Sequence, residues 1–516
     1  MSKQASPSNV KNRIENELPD NVRVLTHIED RFIYSVEKWF DTYKQTGNQT
    51  SQIPEIVVRT DSEDLGRKAY AILEEHGFTP AFRDQLYAEN NDTAESLAII
   101  DTTSSWKLPV DLDQQADPIS KADLRLEQPR SAKQVIQDRC ATHNVCKGYC
   151  PINETVYDDL ESFSAKGRAI IASEITNDEE SSLELSKRTT HILFSCATCG
   201  NCFRPCTENL DRIYDALIEA KQEIIESRDG YVPNRLQDML ENSFFNGNPY
   251  GEPQVERSNW TEDMDIHVPV VESGDSVDVL FFVGCDPSYN DQNQIIARSL
   301  ARIFDNLDLD WGILGTDEKC AGNHQRAVGE IGLFEELAEH NIEKLDEINY
   351  DTLVTADPHS FHSFKNEYDE LGADLSPLHY TEFLDKHVKS DQLSTSNDAS
   401  QRVAYHDSCY LERHNKVTAE PRRLLKSLPG YEYVEIDSTA LCCGGGGGRM
   451  WFEDPEVNER PAMPVIDLAR SKDIDILAVA CPFCATNFED ARKTGGHENE
   501  FIVREMSELI ADSLAN

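Results

Sequence analysis

Two short runs of cysteines constrain this chain more than any other feature. Cys196, Cys199, Cys202 and Cys206 stand at C-x2-C-x2-C-x3-C spacing, followed by Thr207. Fifty-six residues earlier the same register holds Cys140, His143, Cys146 and Cys150, followed by Pro151, and only His143 breaks it. A tight loop of this spacing sets three thiolates around three corners of one cubic iron–sulfide core. The fourth cysteine, on the helix that follows, reaches the neighbouring core. Structural zinc more often draws on two separated C-x2-C knuckles. The chain's 14 cysteines would allow disulfides by parity, but they are bunched rather than scattered. The polar opening, Met1 to Pro19, also reads as no export leader. Thiolate ligation is the better account.

The spacing is that of bacterial ferredoxins. It predicts two [4Fe–4S] sites in an α-helical ferredoxin-like domain over residues 126–235. By the crossover rule, Cys140, Cys146 and Cys206 take the first cluster, with His143 a candidate ligand. Cys196, Cys199, Cys202 and Cys150 take the second. His143 has two readings. As a ligand, its neutral imidazole makes the cluster less negative and raises its potential, as in Rieske centres. Otherwise it stands beside a three-thiolate cluster, either a [3Fe–4S] form or one with an open iron.

The C-terminal half repeats itself. Cys285 and Cys409, Asp357 and Cys481, and Ser360 and Cys484 are each 124 residues apart, and Cys320 and Cys442 are 122 apart. Strand-like runs lead into each landmark: Val277 to Gly284, Val403 to Asp407, Leu353 to Ala356, and Ile476 to Ala480. Two pseudo-symmetric α/β units follow, over 275–388 and 402–516, joined by a Ser/Asp/Asn-rich linker, Lys389 to Gln401. In the second copy Cys409, Cys442, Cys443, Cys481 and Cys484 can converge if the strand ends bearing Cys409 and Cys481 meet the loop of Gly444 to Gly448. The first copy keeps Cys285 and Cys320 but has Ala321, Asp357 and Ser360 at the other positions. Two thiolates and an aspartate could hold a metal there, with His324 or His359 nearby. The favoured reading is a decayed half kept for packing and for completing the other site. The glycine run is no dinucleotide fingerprint, because Arg449 sits where the last glycine belongs, and no G-K-[ST] loop occurs.

The series YHDSC (405–409), LCCGGGGGRMW (441–451) and ACPFC (480–484) resembles the CCG-domain, heterodisulfide-reductase-related iron–sulfur oxidoreductases. The context of Arg449, Met450 and Trp451 is most similar to members associated with electron-transfer flavoprotein, beside glycolate oxidase iron–sulfur subunits. The resemblance implies a further [4Fe–4S] or noncubane cluster on the five second-copy cysteines, which form the catalytic or electron-exit site. It also implies an iron–sulfur oxidoreductase, acting as a subunit of a larger complex. Its donor would be an electron-transfer flavoprotein or a flavoprotein dehydrogenase, and its acceptor a quinone-type partner at the membrane. The alternatives are a disulfide reductase acting on a small-molecule heterodisulfide, and a cluster-stabilised scaffold without turnover.

The remaining sequence sets bounds. Residues 1–125 hold no cysteine and read as a small α/β unit of unknown role, with an amphipathic helix over His27 to Tyr43, strands at Ile56 to Arg59 and Leu97 to Asp101, and a helix over Ser62 to His76. The segment Val110 to Ile119 reads as a linker. The net charge is −45, from 49 basic and 94 acidic residues. That disfavours nucleic acid as a partner and resembles the acidic proteomes of haloarchaea and other salt-accumulating halophiles. No apolar run is long enough to span a bilayer. The expected class is therefore an α+β multidomain cytoplasmic protein, reaching a membrane only through a partner.

Overall fold

The structure is a computed structural model. It describes the strand backbones at 23–25, 56–60, 80–83 and 96–100, then residue 146 and residues 149–514, apart from 158–159, 177–184, 205–210, 228–230, 263, 389–399, 439 and 453–458. Cys140, His143, Cys206, the two N-terminal helices expected above, the linker Val110 to Ile119 and residues 389–399 of the second linker lie outside the described residues, while Gln401, the expected end of that linker, already begins a strand. The chain divides into two compact units. One comprises Met1–Lys147, Leu160–Thr189 and Asn209–Leu217, and the other Gly148–Asp159, Thr190–Glu208 and Ile218–Asn516.

In the first unit four strands, β1 (Arg23–Leu25), β2 (Ile56–Thr60), β3 (Pro80–Arg83) and β4 (Ser96–Ile100), form an antiparallel sheet in the order β1-β2-β4-β3. Both strands expected from the sequence are present, and two further strands flank them.

The second unit carries the repeat. Its first copy contains β5 (Ser276–Phe282), β6 (Trp311–Ile313), β7 (Asn349–Thr355) and β8 (Pro377–His379). The second contains β9 (Gln401–Tyr405), β10 (Tyr431–Val434), β11 (Ile476–Val479) and β12 (Ile502–Glu505). The sheet orders, β6-β5-β7-β8 and β10-β9-β11-β12, are the same order in each copy, and every pairing is parallel. Parallel sheets are covered by helices on both faces, so their strands are apolar on both sides. Alternation along β5 sends Phe281 into one core and Leu280 and Phe282 into another. Along β11, Ile476 and Ala478 face the first core while Leu477 and Val479 face away.

That first core is shared between the copies. It joins Phe281, Phe304, Tyr380 and Phe383 to Val403, Leu425, Ile476 and Leu509. The helices around it are exchanged reciprocally. Gln294–Asn306 of the first copy packs on Met506–Ser513 of the second, and Tyr380–His387 packs on Ala419–Ser427.

The polar stretch Asn242 to Gly251, which leads toward the first copy, is partly helical. The helix Asn234–Asn246 runs five residues into it and ends on Gly247, at φ +66°. The stop signal is the left-handed glycine after the last helical turn, not the asparagines before it.

Candidate cysteine-rich metal centre

In an open α/β sheet, ligands bind beyond the carboxyl ends of the strands, where the strand order switches direction. In the second copy that point lies between β9 and β11. β9 leads through His406, Asp407 and Ser408 to Cys409, which opens a single wide turn, Tyr410–His414. β11 leads through Ala480 to Cys481, and Pro482 starts the helix Pro482–Thr494, with Cys484 in its first turn. Proline suits a first helical position, where no N–H partner is needed. Cys442 and Cys443 enter from the loop after β10. Gly444, at φ +83°, turns that loop and donates its N–H to the Cys442 sulfur at 3.3 Å.

All five cysteines are buried and converge. Cys443 and Cys484 lie with their sulfurs 3.4 Å apart. Cys442 is hydrogen-bonded to Cys409 and Cys443, and Cys484 to Cys481. Their protons are shared unevenly. Hydrogen bonds from Cys442 and Cys484 pull the Cys443 thiol well below its ordinary range against the opposing effect of burial. The bond with Cys443 pushes Cys484 up. Burial opposes ionisation of Cys481, yet bonds from Cys484 and His359 bring it down to about 7. Five unbridged thiols whose close neighbours are one another form a soft, thiolate-type donor set. That donor set fits an iron–sulfur core.

A second loop closes on this centre. Cys196, Cys199 and Cys202 lie on a tight turn made by Thr198 (φ +48°) and Gly200 (φ +69°), and Thr198 N–H donates to the Cys196 sulfur at 3.4 Å. The Cys199 thiol is hydrogen-bonded to Cys442, which with burial raises it well above its ordinary range. Buried Arg413 clamps the two loops together, donating to the Cys199 carbonyl at 2.6 Å and the Leu441 carbonyl at 3.1 Å. Asn201 bonds the Ala440 carbonyl at 2.9 Å, Arg449 the Ser195 carbonyl at 2.8 Å, and Tyr410 the Thr198 hydroxyl at 2.9 Å.

The first copy presents different chemistry at the equivalent strand ends. Cys285 and Cys320 are hydrogen-bonded to each other, and the Arg257 guanidinium lies 3.6 Å from the Cys285 sulfur. Arg257 is itself paired with buried Glu318, whose carboxylate accepts from the Val283 and Gly284 N–H groups at 2.9 and 2.8 Å. Asp357 caps the helix Pro358–Asn366 through the His359 and Ser360 N–H groups, both at 3.1 Å. It also accepts from the His359 ring at 3.1 Å and the Ser360 hydroxyl at 2.8 Å. Burial disfavours the His359 imidazolium, but the Asp357 carboxylate outweighs it and raises His359 to about 10. His324, with no such anchor, is pushed down to about 3 by burial.

The CCG cysteine-rich domain matches residues 279–365 and 403–489, one match per copy. A polypeptide of the dihydromethanophenazine:CoB–CoM heterodisulfide reductase of Methanosarcina mazei is 30% identical over 364 residues. That alignment covers 69% of this chain and 84% of that polypeptide. The chain belongs to the CCG family of iron–sulfur oxidoreductases. The probable iron-sulfur-binding oxidoreductase FadF of Bacillus subtilis is 33% identical over 63% of this chain and 47% of its own length. The EtfAB:quinone oxidoreductase of Syntrophomonas wolfei is 29% identical over 66% and 49%. The chain thus spans about half the length of these two relatives. Where the second copy has Cys443, Cys481 and Cys484, the first has Ala321, Asp357 and Ser360.

Of the residues expected to act, the structure brings together Cys409, Cys442, Cys443, Cys481, Cys484 and Cys199. Cys146, Cys150, Cys196 and Cys202 are half-buried, and Cys150 stands before Pro151 at a helix start, as Cys481 stands before Pro482. The sequence reading missed Arg413, Tyr410 and Asn201. A signal existed for two of them: Tyr410 and Arg413 follow Cys409 by one and four positions, a helical spacing that returns them to one face. Among the described residues, no helix is long and apolar enough to cross a membrane.

Proposed function

We propose that this chain carries electrons from a flavoprotein, either an electron-transfer flavoprotein or a flavin-linked dehydrogenase, toward a quinone-type acceptor. The ligands would be Cys140, Cys146 and Cys206 with His143 for a first cubane, and Cys196, Cys199, Cys202 and Cys150 for a second. The five second-copy cysteines would hold a third cluster, of [4Fe–4S] or noncubane form. The bound clusters supply one-electron chemistry. The observation that carries this reading is the contact between Cys199, of the ferredoxin-type run, and Cys442, of the CCG site. It makes the two donor sets neighbours, as a conducting path requires.

The chain's own residues support that role. Burial of Cys409, Cys442, Cys443, Cys481 and Cys484 keeps water from the sulfurs. The Gly444 and Thr198 N–H groups and the Arg413 guanidinium place positive charge at the thiolates, which favours the reduced state. The N-terminal unit of residues 1–125 and the domain of residues 126–235 would deliver the partner and the first two clusters. An EtfAB:quinone oxidoreductase among the relatives supports a flavoprotein donor and a quinone-type acceptor. The test is stopped-flow oxidation of reduced electron-transfer flavoprotein by the anaerobically purified chain. Oxidation by the wild type is expected to fall at least about tenfold in Cys443→Ser, since loss of one ligand removes the acceptor's low-barrier path. Turnover of a small-molecule disulfide with reduced viologen, and none with flavoprotein, would replace this reading with a disulfide reductase. Clusters that no accessible potential reduces would leave only a scaffold.

A further inference from the structure

The two copies differ most at Asp357 and Ser360, which stand where the second copy has Cys481 and Cys484. Their replacement of cysteine has a structural consequence across the repeat boundary. A carboxylate oxygen of Asp357, a ring nitrogen of His359 and the Cys481 sulfur all lie within 4.8 Å of one another, and all three residues are buried. A mononuclear metal is a poor occupant of this triad. Both oxygens of Asp357 already accept two hydrogen bonds each, from the His359 N–H and ring and from the Ser360 N–H and hydroxyl. A metal would have to displace them and uncap the helix.

The same bonds have a simpler outcome, which is to aim the His359 ring. Nδ1 is held by Asp357 at 3.1 Å, while Nε2 is buried and has no hydrogen-bond partner already in place. The group it is left to address is the Cys481 sulfur, which lies within 4.8 Å of a His359 ring nitrogen. The ring is fixed from its sides by Tyr410 at 4.3 Å, Phe483 at 4.9 Å and His324 at 4.9 Å between centroids. An imidazole anchored on a carboxylate and pointed at a ligand atom is the outer-sphere arrangement that orients metal-site ligands and tunes them.

We propose that His359, oriented by Asp357, is a positioning residue of the first copy that donates a hydrogen bond to the Cys481 thiolate and raises the reduction potential of the cluster held by the second copy. This rests on the reading of Cys409, Cys442, Cys443, Cys481 and Cys484 as a ligand set. The direction follows from charge. Reduction adds negative charge to the sulfurs, and a donor aimed at one of them stabilises the reduced state more than the oxidised one. The first copy is then not a remnant. It has exchanged two ligand cysteines for a donor to its partner copy's cluster.

Redox titration of the full chain, followed by electron paramagnetic resonance and with iron and sulfide assayed in parallel, decides the matter. The signal lost in Cys443→Ser identifies the second-copy cluster. If that variant loses no signal, the ligand reading fails rather than the donor. In His359→Phe, which keeps the ring packing and removes the donor, iron content should stay at the wild-type level and this cluster's midpoint should move negative. In His359→Gln, which keeps an N–H donor, more than half of that shift should be recovered. A wild-type midpoint in His359→Phe overturns the proposal. Should His359→Phe lose iron, Asp357→Asn decides instead, because it leaves the ring but weakens its anchor. Its midpoint must move in the same direction, and an unmoved one overturns the proposal equally.

Discussion

A Cβ on Gly447 would sit 2.3 Å from the Cys196 carbonyl oxygen and 3.1 Å from the Ala197 carbonyl carbon, on a backbone already at φ +64°. Gly446 meets the Ala197 oxygen at 2.5 Å in the same way. These neighbours are main chain and cannot swing aside, so glycine here is what lets the Cys442–Cys443 loop lie against the Cys196–Cys202 turn. Gly447→Ala should destabilise the fold by about 2 kcal/mol through overpacking and strain and separate Cys199 from Cys442. Equilibrium unfolding and iron analysis would check this. Full iron and an unchanged midpoint of denaturation would show that the loops do not need this approach. The sequence made the glycine run visible as a turn of unusual freedom, but not what it turns against. Cys199 and Cys442 are 243 positions apart, and no periodicity encodes a contact of that separation. His359 was legible only as a histidine near a vacated ligand position. Its orientation depends on Asp357 accepting four bonds, a detail of one helix cap.

At the scale of elements, the 124-residue offset was the strongest guide, because it located the strands whose carboxyl ends lead into Cys285, Asp357, Cys409 and Cys481. β5 with β7 and β9 with β11 fall where expected. The edge strands β6 and β8, three residues each, were not foreseen, since so short a run has no detectable alternation. The reciprocal packing of helices between copies was equally hidden. One consequence is a buried acid. Glu505 caps Met506–Ser513, as His379 caps Tyr380–His387 one copy earlier, each with a reciprocal glutamate three residues on. Tyr380 of the first copy donates to Glu505 of the second. Burial raises Glu505 from 4.5 to about 8. The folded chain therefore holds a proton that the unfolded chain releases between those values, and stability from this group falls as pH rises through that window. The slope is at most about 1.4 kcal/mol per pH unit. Urea unfolding of wild type and Glu505→Gln at constant ionic strength should give profiles that diverge between about pH 4.5 and 8, with the variant losing the less. Parallel profiles would mean that Glu505 is already ionised in the folded chain.

Across the whole molecule, 94 acidic residues face 49 basic ones, and no buried network can neutralise that excess. The ion pairs seen among the described residues, such as Arg423–Asp385 and Arg504–Glu508, lie largely near the surface, where each contributes little. The acidic residues left over repel one another more in the compact state than in the expanded one, so the field works against folding. Screening relieves it: the Debye length falls from about 10 Å at 0.1 M salt to about 3 Å at 1 M. The unfolding temperature followed by circular dichroism should therefore rise by several degrees between those concentrations. NaCl and KCl should act alike at equal ionic strength, because screening depends on charge and not on ion identity. Iron release at fixed temperature should slow over the same range, since the thiol cage is buried in the fold that the charge opposes. Midpoints that stay flat in both salts would show that the acidic surface is spaced widely enough to be harmless. A rise in KCl alone would point to specific cation binding by carboxylates rather than to relief of repulsion.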